Sequence, residues 1–178
     1  MILIYRLMVG YMIQEFTSEK TSINQIPRTH KYLATLGKGF KNFDNGSGKY
    51  MSGTVFLQNN GIFNFRFDPY NVSDVENRCS LDNKGEYTSS TISNVLNVIK
   101  EREIQIEVIQ RSYDMLQDGG FCLVTVYYDK NKKSGPTNKG WQWHKPLEEY
   151  IPLVKEVFDI VEIKNNIIIA NKVCHKVF

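Results

Sequence analysis

The sequence contains little of what marks a disulfide-rich or metal-binding protein. Its three cysteines, Cys79, Cys122 and Cys174, lie far apart and form no C-x-x-C pair. This pattern argues against a disulfide framework and favours a reducing compartment, with thiols that mostly fill the core. We predict no metal site.

Strong charge and long apolar runs are also missing. The formal net charge of +3 at pH 7 is too small to argue for a nucleic-acid partner by itself. Residues 1–13 are apolar apart from Arg6, but this run is too short to span a membrane, and no basic cluster precedes it as a signal peptide requires. We therefore expect a cytoplasmic protein with no membrane partner.

The length and composition fit a single globular unit. A chain of 178 residues, 42% hydrophobic and 23% charged, can bury one sizeable core. We expect residues 1–20 to be an N-terminal extension of uncertain order and residues 21–178 to be one domain.

The most informative stretch is a glycine turn between a strand and a helix. A short strand ends at Asp44, the turn carries Gly46 and Gly48, and a helix is predicted over residues 51–58. About twenty residues after the turn, a second predicted strand, residues 63–67, is followed by the acid Asp68. This order is typical of a nucleotide-type ligand across a βαβ unit, with the acid on the ribose hydroxyls.

Met51 narrows the choice of ligand. A dinucleotide fingerprint has a small residue three positions after the second glycine, and a bulky side chain there opposes close approach of a pyrophosphate. S-adenosylmethionine (SAM) carries an adenosine but no phosphate. We therefore favour SAM over a nicotinamide cofactor, and a nicotinamide-dependent oxidoreductase stays as the disfavoured alternative.

The later elements extend the α/β pattern. A parallel strand over residues 88–93 would place Ser93 and Asn94 at the switch point of the sheet, where ligands bind. The polar segment 72–86 is short, so the layer that follows Asp68 is expected to be trimmed. Further predictions are a helix over residues 101–117 with Ile106, Ile109, Tyr113 and Leu116 on its core face and Gly119-Gly120 at its end, a strand over 121–128, a loop over 129–140, a helix over 147–158, and a hairpin of 159–164 and 167–173 around Asn165-Asn166.

Two segments are candidates for contact with a substrate. A helix from Pro27, with Asn24 or Ser22 as its cap, could close over the ligand with Gln25 and Arg28 reaching in, or could simply cover the sheet edge. The lysine-rich loop leading to Lys139, Trp141 and Gln142 could hold a phosphate backbone and stack a base, or could be solvated with its tryptophans anchored on the domain.

Several of these motifs occur together in one known family. Residues 44–49, 67–71, 93–99 and 118–121, with 125–127 and 140–142 in the tail, carry the similarity. On these motifs the chain resembles the class I SAM-dependent methyltransferases over residues 21–172, and more narrowly small methyltransferase-like proteins of phages and bacteria. The resemblance implies a Rossmann-like α/β fold, with a mostly parallel twisted sheet, helices on both faces and a C-terminal antiparallel hairpin. If a phage encodes the protein, its place is the host cytoplasm.

The resemblance also implies a role for each matching residue. Gly46, Ser47 and Gly48, with Asp44, would shape the pocket for the methionine part of SAM. Asp68 would bind the ribose hydroxyls, and Pro69 and Tyr70 would flank the adenine. Ser93 and Asn94 would lie near the transferred methyl group.

The resemblance implies methyl transfer from SAM but identifies neither a catalytic residue nor an acceptor. Ser93-Asn94-Val95-Leu96 lacks the prolines of amino-directed DNA methylases, and no cysteine follows a proline as in cytosine-C5 enzymes. Nucleic acid stays open as an acceptor, and the oligomeric state is not predicted. Departures at Asn45, Val72 and Thr88 leave a second hypothesis, a catalytically silent module that binds SAM or a partner.

Overall fold

The computed structural model describes residues 13–173, and its centre is one six-stranded sheet. The strand order is β2-β1-β3-β4-β8-β7. Strands β1 to β4 are parallel, β8 pairs antiparallel with β4, and β7 pairs antiparallel with β8. The strands are β1 Lys41–Asn45, β2 Phe63–Phe67, β3 Tyr87–Ser93, β4 Leu116–Thr125, β5 Gly135–Thr137, β6 Gly140–Gln142, β7 Ile160–Lys164 and β8 Ile167–Asn171. The α-helices are α1 Arg28–Leu36, α2 Ser52–Asn59, α3 Asp74–Leu81, α4 Arg102–Met115 and α5 Ile151–Lys155, with 3₁₀ turns at Leu96–Val98 and Leu147–Tyr150.

The apolar core is divided between the two faces of this sheet. The larger cluster, beneath α4 and α5, includes Phe43, Ile92, Val124 and Ala170. The smaller cluster lies beneath α1 and α2 and is formed by Leu33, Leu57, Ile62, Leu123 and Ile167. Neighbouring residues such as Leu123 and Val124 alternate between the clusters because successive side chains of a strand point to opposite faces. The predicted Rossmann-like fold with helices on both faces is therefore confirmed.

The sheet ends at β2, and helix α3 covers that edge. A Rossmann sheet in the order 3-2-1-4-5-6 has one more strand outside this position. Here the chain forms α3 and returns directly to β3, with no further strand in the described segment 68–86, as the short polar segment predicted. The side chains of α3 replace part of the missing ladder. Ser80 Oγ donates to the Arg66 carbonyl at 2.7 Å, and Asn77 Oδ1 accepts from the Asp68 N–H at 2.9 Å.

The predicted helix over residues 101–117 is correct in place but wrong at its C-terminal end. Helix α4 stops at Met115, and Leu116 already pairs with Tyr87 in the sheet. Gly119 and Gly120 belong to β4 and do not end the helix, because β4 pairs with β3 on one side and with Lys172 on the other. The Gly119 N–H donates to the Lys172 carbonyl, and the Lys172 N–H donates to the Gly120 carbonyl. Ile109 and Leu116 are fully buried, whereas Ile106 and Tyr113 are only partly buried.

Other local predictions also need correction. The segment 129–140 contains β5, which pairs with β6 in a small two-stranded hairpin. The helix predicted over 147–158 is a 3₁₀ turn followed by the short α5. Pro27 itself is the N-cap of α1, and neither Ser22 nor Asn24 caps it.

The C-terminal hairpin forms where the sequence predicts it, whereas the cysteines differ in burial. Asn165 and Asn166 have φ values of 53° and 57° between β7 and β8, the left-handed geometry of a two-residue hairpin turn, so the prediction is confirmed. Cys122 is a buried core thiol, but Cys79 is exposed, so the prediction of core filling is wrong for it. Cys174 and residues 1–12 lie outside the described residues. No helix within residues 13–173 is long and apolar enough to cross a membrane.

The α3 edge contact leads to a stability prediction. Asn77→Ala should lower the free energy of unfolding by about 2–3 kcal/mol, because it leaves buried backbone groups of Asp68 without partners. Urea denaturation measures the change. Val75→Ala is the matched control on the same helix, since Val75 is exposed, and it should change stability by less than about 0.5 kcal/mol. Equal effects of the two substitutions would contradict the role of Asn77.

Candidate functional site

A cleft opens at the carboxyl ends of the parallel strands. It encloses about 1000 Å³ when the solvent at its mouth is included. All residues predicted to bind the cofactor line it: Asp44, Gly46, Ser47, Gly48, Asp68, Pro69, Tyr70, Ser93 and Asn94. Their roles stay predictions, but the fold does bring them to one site, as expected for a switch point of an open sheet.

The glycine turn is hydrogen-bonded to the C-terminal end of β2 and to the residue that follows it. The N–H groups of Gly46 and Ser47 both donate to the Phe67 carbonyl, at 2.7 and 3.1 Å. The Gly48 N–H donates to Asp68 Oδ2 at 3.0 Å. These three N–H groups are therefore already bound within the protein, whereas a phosphate-binding loop directs such groups at its ligand. The arrangement agrees with the argument from Met51 against a pyrophosphate.

The carboxylate of Asp68 connects the glycine turn to the segment that follows β2. Oδ1 accepts the N–H groups of Tyr70 and Asn71 at 2.8 and 2.9 Å, and Oδ2 accepts that of Gly48. The Asn71 side-chain amide also donates to Oδ1, at 3.2 Å, whereas Oδ2 accepts the Gly48 N–H alone among the described residues. Because each carboxylate oxygen has two acceptor positions, Oδ2 can accept one further hydrogen bond. Arg66 supports the same turn, since its Nη2 donates to the Gly48 carbonyl at 2.7 Å.

Two constraints require glycine at both positions of the turn: a positive φ angle and the lack of room for a Cβ atom. Their φ values are +85° at Gly46 and +67° at Gly48. A Cβ at Gly46 would lie 2.4 Å from a methyl group of Val95, and one at Gly48 would lie 2.7 Å from the Ser22 hydroxyl. The turn is therefore packed between the segment that follows β3 and the segment that precedes α1.

Ser93 and Asn94 lie at the end of β3. Asn94 has a φ of 58°, a left-handed conformation that asparagine tolerates better than most residues. Its N–H donates to the Thr125 carbonyl of β4 at 2.8 Å, and the Ser93 hydroxyl bonds to that of Thr29 on α1. Both residues are thus held by neighbouring elements at the cleft.

His30 is a cleft residue that the sequence analysis missed. Its Nε2 lies 3.2 Å from Asp44 Oδ1, and both side chains are almost fully buried. Burial raises the pKa of Asp44, but the charge of His30 and hydrogen bonds from His30, Asn64 and Thr91 outweigh it, so the pKa lies below the ordinary 3.8. No local signal identified His30, because its partners belong to β1 and β3.

The pair belongs to a polar layer between the sheet and helices α1 and α2. Thr91 Oγ1 donates to Asp44 Oδ1 at 3.0 Å, and Asn64 Nδ2 donates to the Thr54 hydroxyl at 2.9 Å. Asn42 links β1 to both neighbouring strands through hydrogen bonds to Asn64 and Thr91. The Asp44 carboxylate is therefore held by side chains from α1, β2 and β3, namely His30, Asn64 and Thr91.

The segment that precedes α1 forms one wall of the cleft. Its lining residues are Gln14, Ser18, Thr21, Ser22, Ile23 and Gln25. Glu15 forms an ion pair with Lys100, and Phe16 packs on Trp141 with ring centroids 5.5 Å apart. Residues 13–20 therefore pack on the domain, and the domain boundary at residue 20 stays a prediction.

Four of the predicted substrate-binding residues do not line the cleft: Arg28, Lys139, Trp141 and Gln142. Trp141 lies against Phe16, Trp143 and the ammonium group of Lys100. Trp143 is anchored by its Nε1, which donates to the Ile99 carbonyl at 2.9 Å. These contacts agree with the alternative in which the tryptophans anchor the loop, and contact of this group with an acceptor stays a prediction.

Comparison with known proteins shows which fold family the structure resembles. No protein-family model and no curated protein matches the sequence. The structure is similar to Burkholderia thailandensis 1,6-didemethyltoxoflavin-N1-methyltransferase, crystallised with S-adenosylhomocysteine, with a TM-score of 0.61 and 11% identity over 97% of this chain and 88% of that one. The chain has the fold of the class I SAM-dependent methyltransferases.

Two further solved structures share this methyltransferase fold. Human N-acetylserotonin methyltransferase in complex with SAM has a TM-score of 0.56 and 14% identity over 83% of this chain. The SAM-dependent methyltransferase SibL in its apo form has a TM-score of 0.55 and 12% identity over 82%. This chain spans only 52% and 53% of those two proteins, so it is about half their length.

No group of three or more ligating side chains that could hold a metal occurs within the described part of the chain.

The Asp44 environment predicts how stability depends on pH. Because folding lowers this pKa, the carboxylate stabilises the fold fully above pH 3.8, and that contribution is lost as the pH falls through the lower folded value. The unfolding free energy of Asp44→Asn should therefore fall less steeply than that of the native chain in this acid range. Urea unfolding at several pH values measures both slopes. The exposed Asp159 is the control, and an equally large change of slope in Asp159→Asn would refute the prediction.

Proposed function

We propose that the chain binds SAM in this cleft and transfers its methyl group to an acceptor. The observation that carries the proposal is the position of the Asp68 carboxylate, which follows β2, contacts the glycine turn at Gly48 and retains acceptor capacity on Oδ2. The fold family, in which solved members hold SAM or S-adenosylhomocysteine, supports the same assignment.

Several of the residues predicted to bind the cofactor then have a physical task. Asp68 Oδ2 accepts a ribose hydroxyl, and Pro69 and Tyr70 flank the adenine. The tight turn at Gly46 and Gly48 leaves room for the methionine part. Enclosure by the Gln14–Gln25 wall restricts water around the reacting atoms.

The chemistry demands alignment more than acid–base assistance. SAM supplies a methyl group on a positively charged sulfur, so transfer is an in-line displacement. Alignment alone contributes up to roughly 7–11 kcal/mol in ideal cases. Ser93 and Asn94, fixed by Thr29 and Thr125, orient groups at the end of β3 where the acceptor approaches.

Nucleic acid stays in this proposal as one class of acceptor, beside proteins and small molecules. The lysine-rich segment 129–145 follows β4 and the exposed Tyr127 and Tyr128, and its cations and aromatic rings are the kinds of group that contact nucleic acid. A silent SAM-binding module is the competing outcome. It predicts cofactor binding without methyl transfer to any acceptor pool.

The function is tested by calorimetry and a transfer assay. Native chain should bind SAM and S-adenosylhomocysteine, and Asp68→Ala should weaken both by about tenfold or more, because a hydrogen bond to a buried charged group is lost. Labelled SAM is then incubated with nucleic-acid, protein and small-molecule pools. Asp82→Ala is the control, since Asp82 is exposed at the end of α3 and outside the cleft. Absence of binding to the native chain would refute the proposal, and binding without transfer would favour the silent module.

A further inference from the structure

The positive charge of the chain is concentrated in one short segment. Residues 129–145 contain five lysines and a single acid, Asp129, which gives a formal charge of +4 when His144 is neutral. The whole chain carries only +3, so the remaining residues together carry −1. The lysines are Lys130, Lys132, Lys133, Lys139 and Lys145. A patch dominated by one sign of charge attracts a partner of the opposite sign, here a polyanion.

The protein itself does not neutralise this charge. Lys130, Lys133 and Lys139 are exposed. Of the five lysines, only Lys132 forms an ion pair within residues 13–173, with Asp129 at 3.6 Å. The other ammonium groups therefore remain available to the phosphate groups of a ligand.

The hairpin of β5 and β6 is anchored beside the cleft. Trp143 Nε1 donates to the Ile99 carbonyl at 2.9 Å, and a Cβ at Gly140 would lie 3.6 Å from Thr21 Cγ2. Both Ile99 and Thr21 line the cleft. Lys139 lies in the turn between β5 and β6, next to Gly140. The tryptophan thus holds the hairpin on the domain, while the lysine at its turn stays in solvent.

Two exposed tyrosines accompany the lysines. Tyr127 and Tyr128 directly precede the segment and are 47% and 44% exposed. The Tyr127 ring packs on His144 with centroids 5.9 Å apart, whereas the Tyr128 ring has no ring contact among the described residues. Bases stack on exposed aromatic rings, and an unpaired base presents a free face for this. Cations beside a free ring therefore fit a single strand better than a duplex.

The composition of the segment disfavours a lipid surface as the polyanion. Residues 129–139 contain no apolar side chain except that of Pro136. Segments that lie in a membrane interface bury an apolar face among the acyl chains, and this segment has none.

We propose that residues 127–145, named here the basic arm, bind a single-stranded nucleic acid, with exposed lysines on its phosphates and Tyr128 on a base. The inference deepens the proposed function by naming the class of the acceptor, and it rests on that function for the transfer step but not for the binding. Because the arm packs on Ile99 and Thr21, a strand bound to it lies beside the cleft.

Binding is measured by fluorescence anisotropy on the full chain without cofactor. The probes are labelled oligothymidylate, labelled oligouridylate and a labelled DNA duplex, and vesicles of phosphatidylserine and phosphatidylcholine serve as competitors. Each single strand should bind about fivefold or more tighter than the duplex, because only the strand gains the stacking contact. The vesicles should not compete.

A triple variant tests the phosphate contacts. Alanine at positions 130, 133 and 139 should weaken single-strand binding by about tenfold or more. It should also reduce the slope of log K against log salt concentration by about 2, since each phosphate contact on a single strand contributes roughly 0.7. The matched control places alanine at Lys31, Lys155 and Lys164, which are also exposed. It removes the same charge outside the arm and should weaken binding by less than about twofold, because salt screens distant charges.

Tyr128→Ala tests the stacking contact. It should weaken both single strands by about fivefold or more without changing the salt slope, because it removes a stacked base and no phosphate contact. Phe63→Ala is the control. Phe63 is 67% exposed at the amino end of β2, whereas Tyr128 follows the carboxyl end of the parallel strand β4. Loss of this ring at the opposite end of the sheet should leave binding unchanged.

The contrary results have distinct meanings. Absence of single-strand binding, or equal losses in the two triple variants, would overturn the inference and leave the proposed function intact. Equal affinity for the duplex would overturn the single-strand assignment, and competition by vesicles would assign the arm to a lipid surface. Failure of the native chain to bind S-adenosylhomocysteine would overturn the proposed function and the acceptor role of the strand, while the binding result would stand.

Discussion

The cleft depends on one buried carboxylate. Asp68 is 7% exposed and accepts the N–H groups of Gly48, Tyr70 and Asn71. A charge at this depth is costly unless hydrogen bonds replace its hydration. The same bonds that satisfy the charge therefore fix the glycine turn and the start of the Pro69–Asn71 segment. A ligand that bonded to Asp68, as we propose for SAM, would therefore also stabilise the folded turn.

The face of the sheet beneath α1 and α2 is unusually polar. Asn42, Asp44, Asn64 and Thr91 occupy positions where a Rossmann-like sheet could bury apolar side chains, and the apolar cluster on this side is correspondingly small. Such a network stabilises one arrangement only when its members are satisfied. The side chains of Asn42, Asp44, Asn64 and Thr91 hydrogen-bond to one another, and Asp44 also contacts His30 Nε2.

The sequence predictions were correct where the deciding interactions are local and wrong where they join distant residues. The Asn165-Asn166 hairpin and the turn at Gly46 and Gly48 are local, since positive φ favours these residue types, and both were predicted. The end of α4 was misplaced because Leu116 pairs with Tyr87, a contact between distant residues. The strands β5 and β6 were missed because three-residue strands have no measurable periodicity. His30 was missed because its significance comes from Asp44 and from Thr91, 61 residues away.

Helix α3 covers the edge of β2 and therefore also hinders the pairing of this edge with another molecule. An exposed edge strand offers unpaired N–H and C=O groups to a strand of another chain. On β2, the Arg66 carbonyl is occupied by Ser80, and the backbone of Asp68 just beyond it by Asn77. A second molecule would have to displace these side chains before it could add a strand there. The shortened sheet is thereby protected from intermolecular strand addition at the edge where it has lost a strand.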